Sequence, residues 1–517
     1  MKKIIKNKYF IILLAFSIMR GLIYTLSLPP WGLLDEEQHL DYIIKVSQSG
    51  IPPVVGEALL DKEIVQSVLE TNRHEKFHWP TPILSGNETI SLEGYSYEGY
   101  QGPFFYYIFA PIYLLLPGGI LDKLFIIRII LVILSSITII FSYKICREIF
   151  NFDEKTSLFT GLLIVILPER AFSNARISND LFLEIISIIT IYYLSHTFVN
   201  GITWKKSIYL GLLGGVGILT KITFAGILII YPLTYLFNHK DKKIILKGML
   251  TVIIILILSL PYVINNYNLY GDFTGYQSFV RLYETFSSIW KPDLNFSTLA
   301  SSMIKTFTNF WVIWWKGSGA VSNKSLIFVW GLLGAFSLIS FLGIIKYLRI
   351  KLKTGLEKKD LVIISYIIIV MIFIFLSILG FFQGKYPEIQ GRFINSAVFP
   401  IIFLFVLGLE KIKRSSIIIY LCSLVLLLLD SYYLFGYLLP YHYYFSQFFE
   451  NGEALPHVWN GWRVAINQLL INFRSDKPTW VLNLFTIDVI LYFTIFVSFN
   501  VDFFYKLINK GSGNESH

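Results

Sequence analysis

The 517-residue sequence is poor in charged residues and in cysteine. Asp, Glu, Lys and Arg together make up 15% of the chain, whereas an average soluble domain carries about 25%. This deficit excludes a soluble enzyme with a normal wet surface, and it also excludes a disordered chain. The two cysteines, Cys146 and Cys422, lie at or inside apolar segments, which excludes a disulfide framework and a cysteine-rich metal cluster.

Nucleotide-binding and metal-binding motifs are also missing. The sequence has no Walker-type glycine loop, no GxGxxG and no nucleophile elbow, so nothing in it supports an ATP-driven pump or a nucleotide-binding domain. The histidines predicted to be external have no metal-ligand spacing, and we predict no metal-ligand residues from them; they are His74, His78, His442 and His457. No cofactor is predicted, although assistance by a divalent metal stays open.

The sequence is rich in apolar residues. Hydrophobic residues make up 55% and aromatic residues 17% of the chain, and the mean hydropathy is +0.61. Because a span needs roughly 20 apolar residues, we predict an all-α polytopic integral membrane protein with about twelve transmembrane helices. The predicted spans are 9–28, 125–146, 157–172, 181–199, 206–220, 222–238, 244–264, 325–346, 361–382, 394–410, 415–437 and 482–505.

The basic residues predict the orientation of these spans. The net charge of +10 does not indicate a nucleic-acid partner, because Lys and Arg collect on the cytoplasmic side of membrane proteins. Keeping the basic clusters inside requires 104–116 to lie flat as a juxtamembrane helix rather than to cross. It also requires 207–237 to form a hairpin with Lys221 at its outer tip. Both termini are then cytoplasmic.

Three long segments are predicted to be external. Segment 29–124 is acidic, with thirteen Asp and Glu against five Lys and Arg, and segments 265–324 and 438–481 are rich in Trp, Tyr and Asn. The sequence shows no internal repeat and no low-complexity linker. We therefore treat residues 1–517 as one transmembrane domain.

An acidic motif follows the first predicted span. Asp35, Glu36 and Glu37, with His39, come within a dozen residues of the end of that span. A carboxylate there can accept a proton from an incoming hydroxyl group while its neighbours set its pKa. The alternative is a solvated acidic loop that keeps this end of the span outside.

A second candidate lies just before the flat helix. Glu98 and Gln101 would be held at the membrane surface between a rigid turn and an aromatic anchor. Carboxylates and amides suit the hydroxyl groups of a sugar, and aromatic faces suit the C–H side of its ring. The alternative is an ordinary belt of interfacial tyrosines.

Several cations are predicted on the outer side, where the positive-inside rule makes them unusual. Arg176 with Asp180, Lys221 at the hairpin tip, and Gln390 with Arg392 lie near span ends. As a set they would suit a phosphate group anchored in the bilayer, which arginine can bind with two parallel hydrogen bonds. The alternative is that each cation merely anchors the end of its helix.

These motifs follow one another in a fixed order along residues 1–410. They are Asp35-Glu36, Glu98 before Gly102-Pro103 and an aromatic helix, Tyr143 to Phe150, Asn179-Asp180, Leu219-Thr220-Lys221, Asn265 to Asp272, and Gln390-Gly391-Arg392-Phe393. The order resembles the GT-C superfamily of membrane glycosyltransferases, in the branch that holds protein O-mannosyltransferases and the lipid A aminoarabinose transferase. Beyond about residue 440 no resemblance is found.

The resemblance implies a GT-C-like bundle with a large first external loop and juxtamembrane helices. It implies transfer of a sugar from a polyprenyl-phosphate-linked donor to a glycan, lipid or protein acceptor at the outer face of the cytoplasmic membrane. By the same resemblance, Asp35 is the catalytic base with Glu36 beside it. Arg392 and Lys221 would lie near the lipid phosphate, and Asp180 near the acceptor or the donor sugar.

The sequence departs from the family pattern at one motif. Many relatives have Pro-Pro at the position of Gly102-Pro103 and Lys or His at the position of Gln101. Two rival functions also stay open. A lipid-linked oligosaccharide flippase or polysaccharide transporter would have its charges in a central cavity and inverted repeats, and an O-antigen-type polymerase would lack the Asp-Glu motif after the first span.

Overall fold

The computed structural model describes residues 7–31, 35–71, 92–238, 242–286, 293–311, 327–382, 390–412, 415–444, 449–450, 453–454, 471 and 473–509. Nearly all of these residues are helical, which confirms the predicted all-α class. The described strands are one short antiparallel pair, β1 (Phe449–Glu450) and β2 (Glu453–Ala454).

The helices are numbered in chain order. The first eleven are α1 (Lys8–Ser27), α2 (Glu36–Ser49), α3 (Lys62–Glu70), α4 (Phe104–Leu115), α5 (Ile120–Lys144), α6 (Glu154–Val165), α7 (Pro168–Asn174), α8 (Asn179–Asn200), α9 (Trp204–Thr220), α10 (Ala225–Leu228) and α11 (Ile230–Leu236). The others are α12 (Ile244–Tyr270), α13 (Tyr276–Phe286), α14 (Phe296–Trp311), α15 (Ile327–Thr354), α16 (Lys358–Phe382), α17 (Val398–Glu410), α18 (Ser415–Ser431), α19 (Leu439–Tyr444) and α20 (Thr479–Asn509).

Shorter helical turns connect some of these helices. Three-residue 3-10 turns cover Leu92–Gly94, Glu98–Tyr100 and Ile222–Phe224, and a longer one, Gly391–Ala397, leads into α17. Single π-helical turns extend α5 (Ile145–Ile149) and α18 (Tyr432–Leu438).

Within the described residues, eight helices are long and apolar enough to cross a membrane. They are Lys8–Ser27, Ile120–Ile149, Asn179–Asn200, Ile244–Tyr270, Phe328–Thr354, Lys358–Phe382, Gly391–Glu410 and Ile417–Gly436. A ninth span results if α6 and α7, which meet at a bend of 60°, count as one. The multi-pass membrane class is therefore confirmed, whereas the number of twelve spans stays a prediction.

The short helix α4 matches the segment predicted to lie flat. Its 12 residues extend about 18 Å at 1.5 Å per residue, well short of a hydrocarbon core of about 30 Å. It packs against α2, which is also outside the predicted spans. The sequence Gly102-Pro103 starts this helix with Pro103 as its N-cap residue.

The predicted hairpin 207–237 turns back after Lys221. α9 ends at Thr220, Lys221 is extended, and the 3-10 turn Ile222–Phe224 leads into α10 and α11. A Cβ atom on Gly217 would come within 2.3 Å of the Phe224 ring, so a larger residue there would force this ring to move. On its other side α9 packs closely along α12, as membrane helices with small residues at their interface do.

Ion pairs hold the buried parts of the bundle together. Arg20 of α1 donates from Nε to Oδ2 of Asp430 in α18 at 2.8 Å, and from Nη2 to the Leu167 carbonyl at 3.3 Å. That carbonyl lies at the break between α6 and α7, where Pro168 interrupts the helical hydrogen bonds. A charged residue inside an apolar bundle is thus compensated by an acid and by free carbonyl oxygens.

The ends of several helices meet on one side of the bundle. Side-chain ion pairs bring together the start of α2, the start of α8, the end of α9 and the turn Gly391–Ala397. The turn Glu98–Tyr100 joins them through hydrogen bonds of the residues that flank it, Tyr97 and Gln101. The approach is close: a Cβ atom on Gly102 would come within 2.2 Å of the Leu219 carbonyl oxygen. All the residues predicted to carry function belong to these segments or adjoin them.

Candidate active site

Asp35 begins α2, but its carboxylate does not cap that helix. An aspartate at an N-cap normally accepts from the backbone N–H groups of the first turn, whereas the Asp35 side chain makes no such bond. Its backbone carbonyl starts the helix instead, and its φ of 66° lies in the left-handed region. This conformation is uncommon for a residue other than glycine, although aspartate tolerates it.

Among the described residues, the Asp35 carboxylate has two partners, one for each oxygen. The Tyr97 hydroxyl donates to Oδ1 at 2.7 Å, and Arg392 Nη2 lies 3.6 Å from Oδ2. Burial alone would raise the pKa of Asp35, but Arg392, Tyr97 and nearby cations outweigh burial and leave the pKa below its usual value. The carboxylate is therefore ionised at neutral pH and can accept a proton.

Glu36 lies in a different interaction from its neighbour Asp35. It is fully buried and accepts from Nε of Arg128 at 2.7 Å and from the backbone N–H of Ile177 at 2.9 Å. Arg128, also fully buried, donates to the carbonyl of Pro29 at 3.1 Å. Glu36 thus ties the end of α1 to α5 and to the turn before α8, and its predicted catalytic role stays a prediction.

His39 follows one helical turn after Asp35 and is also buried. Its Nδ1 lies 2.8 Å from the hydroxyl of Tyr106, whose ring is stacked on that of Tyr42 with centroids 3.6 Å apart. Burial lowers the pKa of His39 to about 3 despite the nearby Asp35 charge. The imidazole is therefore neutral at neutral pH.

Asp180 is the centre of a cluster of three cations. Lys221 Nζ lies 2.6 Å from Oδ1, while Arg176 Nη2 lies 3.1 Å and Arg392 Nη1 3.8 Å from Oδ2. Ser178 at the N-cap of α8 fixes the start of this helix by accepting from the Asp180 backbone N–H at 3.3 Å. Because Arg392 also faces Asp35, its guanidinium group connects the two carboxylates.

Two arginines of this cluster have unused hydrogen-bond donors. Within the described part of the chain, Nε and Nη1 of Arg176 and Nε of Arg392 are buried without a partner. Burial and the charge of Arg392 lower the pKa of Arg176 to about 10, so Arg176 is still charged at neutral pH. Buried charged donors are costly unless they are paired, and an anionic ligand would pair them.

Glu98 and the two predicted glutamines lie at the edge of the cluster. Burial and the charge of Asp35 raise the pKa of Glu98 to about 7, and among the described residues its Oε2 has no partner. Gln101 accepts from Asn179 Nδ2 at 3.3 Å and donates to the Tyr100 hydroxyl at 3.1 Å. Gln390 is buried beside Arg392 in the chain, and its Oε1 finds no partner in the described segments.

The fold therefore brings most of the predicted residues into one site. Asp35, Arg176, Asp180, Lys221 and Arg392 share direct ion pairs. The pKa of Glu98 depends on the charges of Asp35, Lys221 and Arg392. Glu36 belongs to a separate ion pair. These contacts join residues separated by as many as 357 positions in the chain. The sequence pattern alone could not show that such distant residues lie close together.

Two important residues were missed by the sequence analysis. Tyr97, which donates to Asp35, was hidden among several tyrosines of segment 95–103, and only its contact distinguishes it. Arg128, the partner of Glu36, had a usable signal, because it is a cation well inside the apolar run 124–143. Such residues usually face a polar partner inside the bundle.

The described carboxylates of the site lie beside cations. In the described segments, no three His, Cys, Asp or Glu side chains are grouped so that they could hold one. Asp35 faces Arg392, and Asp180 faces three cations. A divalent cation would have to compete with these positive charges for the same oxygens.

The geometry defines a polytopic helical membrane protein with one charged site at the ends of its helices. Residues 101–265 match the family described as dolichyl-phosphate-mannose-protein mannosyltransferase. This match confirms the predicted resemblance to the GT-C superfamily. It includes Gln101, Arg176, Asp180 and Lys221 of the site. A comparison with curated proteins finds no match.

Two solved structures show a remote likeness. One is ArnT from Cupriavidus metallidurans in the apo state, with 11% identity, a TM-score of 0.41, and coverage of 78% of this chain and 60% of that one. The other is ArnT from the same organism bound to undecaprenyl phosphate, with 13% identity, a TM-score of 0.44, and coverage of 95% and 77%. The chain thus spans less than two thirds of the first of these proteins.

Proposed function

We propose that this protein is a GT-C glycosyltransferase that moves a sugar from a polyprenyl-phosphate-linked donor to an acceptor. The observation that carries the proposal is the position of Arg392, which lies 3.6 Å from the Asp35 carboxylate and 3.8 Å from that of Asp180. A group able to take a proton thus stands beside buried cations with unused donors. The description of the matching family, which names a dolichyl-phosphate sugar, supports the same donor class.

In the proposed reaction the cations bind the donor phosphate. Arg392 and Arg176 would donate their unused N–H groups to its oxygens, and Lys221 would add a point charge. Arginine suits this task because its planar fork matches two oxygens at once. Such groups favour departure of the phosphate because they stabilise the charge that develops on it.

Asp35 would act on the acceptor. Its ionised carboxylate takes the proton of an acceptor hydroxyl, whose oxygen attacks the anomeric carbon of the sugar. The bond from that carbon to the phosphate oxygen breaks, and the leaving phosphate keeps the electron pair. The phosphate-linked sugar is itself the activated donor, so no nucleotide is required. We assign no step to a metal ion or another cofactor.

The test is a donor-cleavage assay on the purified full-length protein in detergent. We expect release of free polyprenyl phosphate from at least one of a panel of polyprenyl-phosphate sugars, starting with the mannose derivative, when an extract of envelope glycans, lipids and proteins supplies the acceptor. Transport of an intact donor across vesicles without its cleavage would instead support the flippase alternative.

Arg392 provides a test of donor binding. We expect Arg392→Lys to weaken donor use although the positive charge is kept, because a point charge cannot replace two aligned donors. Losing one charged hydrogen bond of about 1.5–3 kcal/mol corresponds to a roughly 10- to 150-fold loss of apparent donor affinity. Titration of each variant with the donor measures this loss of affinity. Arg281→Lys, a change on α13, is the control, and unchanged donor affinity in Arg392→Lys and Arg392→Ala would remove Arg392 from the site.

We further propose that the site faces outward from the cytoplasmic membrane and that both termini are cytoplasmic. In a variant with Cys146 and Cys422 replaced by Ala, a cysteine at exposed Ile51 should react with an impermeant maleimide in whole cells. A cysteine at exposed Asn151 should react only after the cells are permeabilised. The reverse pattern would contradict this orientation.

A further inference from the structure

We propose that Tyr97 is a positioning residue that aims the Asp35 carboxylate at the acceptor hydroxyl. This inference rests on the proposed function, in which Asp35 is the base. The observation is the hydrogen bond from the Tyr97 hydroxyl to Asp35 Oδ1 at 2.7 Å. Nothing in the sequence pattern or in the family description assigns a role to this tyrosine.

In the part of the chain that the structure describes, the contact with Tyr97 is the shorter of the two that the Asp35 carboxylate makes. Arg392 lies 3.6 Å from the other carboxylate oxygen, too far for a hydrogen bond. The carboxylate also makes no capping hydrogen bond to the backbone of α2. Tyr97 is therefore the group that fixes the rotation of the carboxylate, and Oδ2 is left facing the cation cluster.

Tyr97 is itself held firmly. Its backbone N–H donates to Oε1 of Gln38 at 3.1 Å, and its ring packs against Phe279 of α13 with centroids 5.4 Å apart. Gln38 is in the first turn of α2, the helix that Asp35 begins. The base and its hydrogen-bond donor are thus fixed by the same short helix, and Tyr97 is only 7% exposed.

The hydroxyl of Tyr97 is suited to be a permanent donor. Burial and the charge of Asp35 raise the pKa of Tyr97 well above its usual value of 10, so the proton stays on Tyr97 at working pH. A donor to a carboxylate favours its ionised form. The pKa of Asp35 is lowered against burial, first by Arg392 and then by Tyr97.

The experiment compares Tyr97→Phe with the wild-type enzyme in the donor-cleavage assay. The phenylalanine ring keeps the packing against Phe279 and loses only the hydroxyl. We expect kcat to fall about tenfold with donor KM unchanged, and the acid limb of the pH profile of kcat to move up by about one pH unit. The other titratable groups near Asp35 include His39, Glu98, Arg176 and Arg392, and all of them stay in place.

Two controls separate positioning from a structural role. Tyr95→Phe removes a hydroxyl from the same loop, where the Tyr95 ring packs against Phe286, and it should leave kcat and the pH profile unchanged. In an Asp35→Ala background, Tyr97→Phe should cause no further loss, because a residue that acts through Asp35 has nothing left to position.

The outcomes distinguish this inference from the proposed function. If wild-type protein cleaves no donor, the proposed function fails. If it cleaves donor and Tyr97→Phe behaves like Tyr95→Phe, only the inference fails. A loss of activity in Tyr97→Phe that persists in the Asp35→Ala background, or that leaves the acid limb in place, would also overturn the positioning role.

Discussion

Replacing Asp35 with Asn is expected to lower turnover about 10²- to 10⁴-fold, the usual contribution of a general base. Asparagine preserves the shape of the side chain and can still accept from the Tyr97 hydroxyl at Oδ1, but it cannot take the proton of the acceptor. Donor affinity should change far less than kcat, because the phosphate is bound by Arg392 and its neighbours. Steady-state rates and a donor titration in the cleavage assay measure both quantities.

The matched control for this prediction is Glu57→Gln. Glu57 is an exposed acid in the same segment as Asp35, so the change removes one carboxylate from that segment and leaves the site intact. Its turnover should equal that of the wild-type protein. Near wild-type transfer by Asp35→Asn would refute the assignment of the base, and the flippase alternative would then become the stronger one.

The sequence predicts which residues form the site better than it predicts how they are arranged. Charge near the end of a predicted span marks four residues that the fold brings together: Asp35, Asp180, Lys221 and Arg392. Their order along the chain could not indicate that Arg392 would face both carboxylates. That arrangement depends on how the turn before α17 packs against α8.

The fold could be predicted where hydropathy alone decides. Long apolar runs become long helices, and Pro111 in a short run with prolines at both edges matches the short helix α4. The positions where helices break were harder to predict, because they depend on contacts with residues that are distant in the sequence. The bend between α6 and α7 is stabilised by Arg20, which is more than 140 residues away and reaches the Val165 and Leu167 carbonyls.

The position of Glu36 illustrates what neighbouring residues in a motif do not reveal. Side chains one position apart on a helix point in different directions, so Asp35 and Glu36 cannot both face the same ligand simply because they adjoin. The structure turns Glu36 toward Arg128 and the Ile177 N–H. These contacts indicate that Glu36 stabilises the structure around the site, whereas Asp35 is the proposed base.

Replacing Glu36 with Gln is therefore expected to destabilise the protein by about 3–5 kcal/mol, because the charge of the fully buried Arg128 would lose its counter-ion. A lower midpoint of thermal unfolding in detergent measures this effect. Arg128→Met should show a comparable loss, since it leaves the Glu36 carboxylate buried without its cation. Asp35→Asn should leave the midpoint nearly unchanged, because that carboxylate is partly exposed and has no hydrogen bond to Arg392. A Glu36→Gln variant that keeps wild-type stability but loses turnover would contradict the structural role and return Glu36 to the catalytic role predicted from its place beside Asp35.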